Sequence, residues 1–275
     1  MDLNTVTQIA QPKARAEFPA WRSGDAWLSG GTWLFSEPQP AVNRLIDLSA
    51  LGWKPLTVGA AGLDIAATCK IAELNALTVP VEWTVAPLID QCCRAFLASF
   101  KIWNMATVGG NICCSLPAGP MISLTAALDG VCTLWSPDGA ERRVPVIEFV
   151  LGPQSNALKP GELLRRIELP AAALCRRTAF RQISLARFGR SAALLIGTLD
   201  PKSGAFALTV SASTPRPVKF TFVTLPSASA LCAKIESTIP PDGYYDDIHG
   251  APAWRRRMTL HFASEIRDEL ESVVR

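Results

Sequence analysis

Two glycine pairs carry the clearest chemical signal in this chain. They lie in Ser29-Gly30-Gly31-Thr32 and in Thr107-Val108-Gly109-Gly110-Asn111. Each reads as the end of an apolar strand. Consecutive glycines permit left-handed backbone, so successive N–H groups can turn into one concavity, and the missing Cβ lets a ligand come close. Such a concavity suits a pyrophosphate. Thr32, Thr107 and Asn111 add side-chain donors beside it. A single Gly-Gly after a strand is more often a turn or bulge. Two of them, each flanked by Thr or Asn, point to a phosphate-bearing cofactor.

Other chemistries find little footing. The eight cysteines (Cys69, Cys92, Cys93, Cys113, Cys114, Cys132, Cys175 and Cys232) form no C-x-x-C pair, and there are two histidines, His249 and His261. Zinc and iron–sulfur frameworks need thiolates or imidazoles at ligand spacing, which is absent here. The cysteines read instead as buried free thiols in a reducing compartment. No Walker-type phosphate loop, dinucleotide fingerprint or serine-nucleophile elbow occurs. Asp246, Asp247 and His249 read either as a metal cluster or as a cap for the last helix. Arg255, Arg256 and Arg257, beside Trp254, read as a solvated helix face.

The elements that must position these residues come from periodicity. The chain has 275 residues, 49% of them hydrophobic and 19% charged, with a net charge of +3. That is enough apolar matter for two domains or one large one, and too little charge to suggest nucleic acid. The low charged fraction, against a usual ~25%, points to surface covered by partners. Asp2 sits where a signal peptide would carry positive charge, and the longest apolar run, near Ala192 to Leu199, is too short to span a bilayer. The chain reads as cytoplasmic, without membrane insertion.

Strands are expected at 26–28, 44–48 and 56–60. An amphipathic helix is expected from Pro87 to Phe100 and a core helix from Met121 to Leu128. A hairpin joins 130–135 to 142–146, and 163–169 reads as a strand ending at Pro170. Residues 171–174 look like a linker. Strands at 178–183, 191–199 and 205–212, then a helix from Pro252 to the end, suggest a second α+β unit.

The wording of these segments resembles the FAD-binding medium subunit of molybdenum hydroxylases, the xanthine dehydrogenase and carbon monoxide dehydrogenase group. Ser29-Gly30-Gly31-Thr32-Trp33-Leu34 is similar to that family's A-G-G-T-D-L loop. Ile102-Trp103-Asn104-Met105-Ala106-Thr107-Val108-Gly109-Gly110-Asn111-Ile112 is similar to its I-R-N-x-A-T-I-G-G-N-I segment, the most specific part of the match. Phe149 through Pro170 and Asp246 through Arg257 resemble its later patterns, so the likeness covers nearly the whole chain.

The resemblance implies an α+β fold of the vanillyl-alcohol-oxidase type. Its FAD-binding domain would span 1–172, with subdomains of about 1–56 and 57–172, and a C-terminal α+β domain would span 173–275. It implies noncovalent FAD, and partners that carry molybdopterin (the large subunit) and 2Fe–2S clusters (the small subunit). The task would be electron transfer from those clusters to an external acceptor. By position, Leu28, Ser29, Gly30, Gly31, Thr32 and Trp33 would wrap the pyrophosphate. Ala106, Thr107, Val108, Gly109, Gly110 and Asn111 would hold the phosphates and the flavin side, with Cys114 close by, and Leu164 would line the cleft.

Three positions depart from the pattern: Trp33 replaces an acidic residue, Trp103 an arginine, and Pro120 an aspartate expected to hold the adenosine ribose. The stretch before Gly30 is also short for the family. The departures leave a second reading, an FAD-poor structural subunit of the same complex. A third is a self-sufficient FAD oxidase, for which no histidine stands near the glycine loops in sequence to attach the flavin.

Overall fold

Short apolar runs near the N-terminus pair as a parallel three-stranded sheet. Its strands β1 (Gln8–Ala10), β2 (Asp25–Leu28) and β3 (Arg44–Asp47) lie in the order β1-β3-β2. These come from a computed structural model that describes residues 3–272; Asp2 and the last three residues of the expected C-terminal helix lie outside that range. Arg44 grips the carboxylate of Asp25 with two bonds, at 2.8 and 2.6 Å, and pins β2 to β3. That pairing fixes the strand that delivers the first glycine loop.

A five-stranded antiparallel sheet follows. It is built from β4 (Leu56–Gly59), β5 (Gly62–Ala66), β6 (Val131–Trp135) and β7 (Glu141–Pro145), together with β10 (Leu163–Pro170), in the order β4-β5-β10-β6-β7. A small hairpin, β8 (Val150–Gly152) with β9 (Ser155–Asn156), precedes β10. Helices α1 (Ile71–Asn75), α2 (Ala86–Ala95), α3 (Phe100–Trp103), α4 (Val108–Cys114) and α5 (Pro120–Ala127) lie between β5 and β6. The short α6 (Val146–Phe149) and α7 (Ala171–Leu174) flank β8 and follow β10. Apolar residues of α1, α2, α4 and α5 form one core with this sheet.

The rest of the chain forms an antiparallel meander, β11 (Arg177–Ile183), β12 (Ala193–Leu199), β13 (Phe206–Ser211) and β14 (Val218–Phe222), with α8 (Ala228–Thr238) and α9 (Pro252–Ser272). Every residue of β12 is buried. Leu194 and Ile196 join the first core, while Ala193, Leu195 and Leu199 join a second core under α8 and α9. Alternate side chains of a strand face opposite ways, so a strand covered on both faces reads as an unbroken apolar run. No helix of the described residues is long and apolar enough to cross a membrane.

Several expectations need correction. The helix expected to reach Phe100 stops at Ala95, and α3 is a separate turn. Residues 171–174 are a helical turn rather than a linker. The second glycine pair does not follow a strand: it forms the first turn of α4, with Thr107 as its N-cap. Glycine's low helix propensity hides such a start in a sequence. β5, β14, α1 and α8 are further elements that the pattern reading did not list.

Candidate functional site

A cavity of about 760 Å³ opens where the first glycine loop, α4, the start of α5 and the C-terminal unit meet. The expected site residues Leu28, Ser29, Gly30, Gly31, Thr32 and Trp33 line it, as do Ala106, Thr107, Gly110, Asn111 and Cys114. Val108, Gly109 and Leu164 do not. Val108 and Leu164 belong to the hydrophobic core. Leu164 pairs with Leu134 of β6, and both side chains lie in that core. Gly109 packs on β5's exit: a Cβ there would lie 2.6 Å from the Ala67 backbone.

The two glycine segments touch each other. A Cβ on Gly30 would sit 2.0 Å from the Met105 carbonyl oxygen, and Ser29 Oγ donates to Thr107 Oγ1 at 3.1 Å. Gly31 takes φ +70°, which lets the chain turn so that the Phe35 N–H reaches the Gly31 carbonyl at 2.8 Å. Gly31 alone among these four glycines has positive φ.

The donors of the two segments differ sharply. Among the described residues, no acceptor is bonded to the N–H groups of Gly30, Gly31, Thr32, Trp33 or Leu34. Five successive free amides at a cavity wall are the kind of donor set from which an anion nest is built. The amides that open α4 are already committed. Val108 N donates to Cys69 O (2.8 Å), Gly109 N to Ala67 O (3.1 Å), Gly110 N to Thr107 Oγ1 (3.0 Å) and Asn111 N to Thr107 O (3.0 Å). The second pair is therefore no second nest. Its contribution is room at Gly110 and the hydroxyl of Thr107, whose oxygen accepts from Ser29 and Gly110 and so keeps its proton to donate. Asn111 Oδ1 accepts from Met121 N at 3.1 Å and fixes α5 against α4.

Pro120 lines the cavity as the first residue of α5 and offers no side-chain acceptor. Ser123, the nearest hydroxyl on the same helix, is buried and bonded to Ser211 Oγ at 2.6 Å. Trp103 turns its Nε1–H to the Phe96 carbonyl at 3.1 Å. Burial pushes the Cys114 thiol up to about 11, so it is a neutral, soft wall at ordinary pH. All eight cysteines are free; four are buried (69, 92, 93, 132) and four half-buried.

The far wall was not foreseen. Arg190, Ser191, Ala212, Tyr245, Asp247, His249 and Arg255 line it from the C-terminal unit. His249, distant in sequence, thus shares a cavity with the glycine loops. Asp246, Asp247 and His249 form no metal cluster; no group of three or more candidate ligands exists among the described residues. Asp247 is paired with Arg255, and it accepts from the His249 backbone at 2.8 Å. Arg255 is not on a solvated face: it is buried with 1% exposure, while Arg256 pairs with Glu236 at the surface. The signal was available. Thr259, Phe262, Ala263, Ile266 and Leu270 mark the inner stripe of α9, and one turn back along it is Arg255.

The donor set fits a diphosphate-bearing cofactor: free amides on one wall, a hydroxyl donor at Thr107 and the cationic Arg190 on the far wall, with Glu37 and the Arg255-paired Asp247 as the acidic residues of the lining. Fold and cavity together define a mixed helix-and-sheet protein whose cavity has a run of unbonded backbone amides along one wall. Residues 6–172 match the family described as FAD binding domain in molybdopterin dehydrogenase, and the chain belongs to that family.

The chain is similar to the glyceraldehyde dehydrogenase medium chain of Sulfolobus acidocaldarius, 29% identical over 109 residues, which are 40% of this chain and 37% of that one. It is also 29% identical over 139 residues to the caffeine dehydrogenase subunit beta of Pseudomonas sp. strain CBB1, covering 49% of this chain and 46% of that one. The matched stretches span less than half the length of either relative. A chain of the reconstituted CO dehydrogenase from Oligotropha carboxidovorans has the same fold, with a TM-score of 0.81 over 98% of both chains at 18% identity.

Proposed function

We propose that this chain is the FAD-carrying electron-transfer subunit of a molybdenum-containing hydroxylase or dehydrogenase. The row of five free amides from Gly30 to Leu34 carries the reading, because it supplies an unspent anion nest inside a cavity large enough for a cofactor. When bound there, FAD would accept electrons singly and release them in pairs to an external acceptor. The chain's own residues bind and orient. The 30–34 amides and the Thr107 hydroxyl would hold the diphosphate, Gly110 would leave room for it, and Trp33, Cys114 and the C-terminal wall would enclose the rest.

The vanillyl-alcohol-oxidase type of division, with an FAD domain over 1–172 and a C-terminal domain from 173, is part of the same reading. It is supported by the family match ending at 172 and by the change of sheet after β10. Partners would be a molybdopterin-carrying large subunit and a 2Fe–2S small subunit, as the medium-chain and subunit-beta relatives suggest. Exposed apolar side chains near the cavity, Leu97 at 44% and Phe100 at 73%, suit burial by such neighbours. Co-purification from native expression tests this. Three different chains eluting together, with a flavin and iron–sulfur spectrum, are expected. A monomer that oxidises a small substrate unaided would overturn it and favour the oxidase reading, with His249 as the attachment candidate.

The FAD-poor alternative rests on Pro120 and on the committed amides of α4, which together leave the nest as the main polar grip. A chain that elutes with its partners but without flavin would establish it.

A further inference from the structure

Arg255 is the largest fully buried side chain among the described residues. Its Nε donates to Gly250 O at 2.8 Å, and Nη1 to Ala192 O at 2.7 Å and to Ala212 O. Nη2 pairs with Asp247. The Tyr245 ring centroid lies 5.6 Å from the guanidinium carbon. These partners sit on three separate stretches: the start of β12, the end of β13, and the turn before α9. Each stretch contributes to the far wall of the cavity, through Ser191, Ala212, and Tyr245 with Asp247.

The wall is held in an unfavourable form. Ala212 takes φ +61°, a left-handed conformation that non-glycine residues avoid. Its N–H donates to Pro117 O at 2.9 Å, which joins this wall to the loop before α5. A buried guanidinium is a poor choice for stability alone, since an apolar side chain of similar volume would often serve a core as well or better. An apolar side chain could not bond three carbonyls and a carboxylate in one plane.

We propose that Arg255 is a positioning residue of the cofactor cavity, which holds these three stretches in the one arrangement that receives FAD. The proposal rests on the FAD reading above. It differs from a role in stability because every bond of this side chain ends at or beside a cavity wall. Arg267, on the same helix, supplies the contrast: it bonds the Pro226 carbonyl at 2.9 Å and pairs with Asp268 and Glu271, away from the cavity.

The test titrates FAD into flavin-depleted full-length wild type and into Arg255→Met, Arg255→Lys and Arg267→Met, following flavin fluorescence, with circular dichroism and thermal unfolding as fold controls. Both Arg255 variants are expected to weaken FAD binding by about tenfold or more, since lysine cannot reproduce the planar fork. Arg267→Met is expected to lower the unfolding midpoint and to leave the Kd within about twofold. A folded Arg255 variant with wild-type affinity would overturn the proposal, as would equal weakening by Arg267→Met. If Arg255→Met does not fold, Arg255→Lys decides by the same criterion; loss of fold in both would make Arg255 structural and overturn the proposal. A wild type that takes up no FAD overturns the underlying reading, whereas unchanged affinity in a variant overturns this inference alone.

Discussion

Gly109 and Gly110 are neighbours in sequence and meet different surroundings. A Cβ on Gly109 would strike the Ala67 backbone, whereas one on Gly110 would meet only the Thr107 hydroxyl, at 2.9 Å, which a side-chain rotation can relieve. Gly110→Val is therefore expected to fold and to lose FAD, while Gly109→Val should fail to fold. Circular dichroism and a flavin spectrum on both variants check this; a folded Gly110→Val with a full flavin complement would move the site elsewhere. Pro120 allows the opposite experiment. Pro120→Asp places a carboxylate at the first turn of α5, where acidic residues are favoured. A ribose hydroxyl bonded to it would strengthen binding by roughly 1.5–3 kcal/mol, on the order of tenfold to a hundredfold. FAD titration of the folded variant measures it, and an unchanged or weaker Kd would mean that position 120 does not face the ribose.

The glycine loops were legible in the sequence because residue type alone limits what glycine pairs do. Which amides remain free was not legible, because Cys69 and Ala67, which consume the first two of α4, come from a different stretch of chain. Arg255 was misread for a related reason: three successive arginines suggest solvent, and only the helical phase of the following apolar residues reveals which one turns inward.

At the scale of elements, short connections hold the cavity in register. Glu162 joins the β6–β7 hairpin to the first sheet. Arg142 donates to its carboxylate at 2.8 and 2.6 Å, Lys159 N at 2.7 Å and Ser136 Oγ at 3.2 Å, while Trp27 Nε1 donates to its backbone carbonyl at 2.9 Å. Trp27 lies on the cavity wall. The Arg142 bonds, chiefly, hold the Glu162 carboxyl down to about 2. A carboxyl lowered in the folded state stabilises fully above its ordinary value and loses that contribution as pH falls. The contribution, on the order of 3 kcal/mol, should fade between about pH 4.5 and pH 2. Urea unfolding across that window should show a steeper loss in wild type than in Glu162→Gln; parallel curves would contradict the assignment. A second strap links the meander to α5. Lys219 of β14 donates to the carbonyls of Ala126 and Ala127, both at 3.0 Å, and pairs with Asp129, itself paired with Arg176. It satisfies the end of a helix whose start opens onto the cavity. Strands such as 130–135 and 163–169 were readable from alternation and turn residues. α4 was not, since glycines at its first turn argue against a helix until the Thr107 cap is seen.

For the whole molecule, the cavity is lined by the end of β2 and the glycine loop after it, by α4 and the start of α5, and by loops at the ends of the meander strands, and two of its walls come from opposite ends of the chain. Sequence patterning could assign most strands one at a time, but the far wall depends on long-range contacts: the bonds of Arg255 and the link from Ala212 N to Pro117 O. The shared core shows this coupling: Leu194, Ile196 and Ala212 belong to the cluster built on the five-stranded sheet. FAD binding should thus depend on both halves of the chain. The most direct measurement is the flavin content of the purified full-length protein after titration with FAD, followed by acid precipitation. One FAD per chain, released into the supernatant, is the predicted result. A folded chain that retains no flavin at saturating FAD would contradict the account.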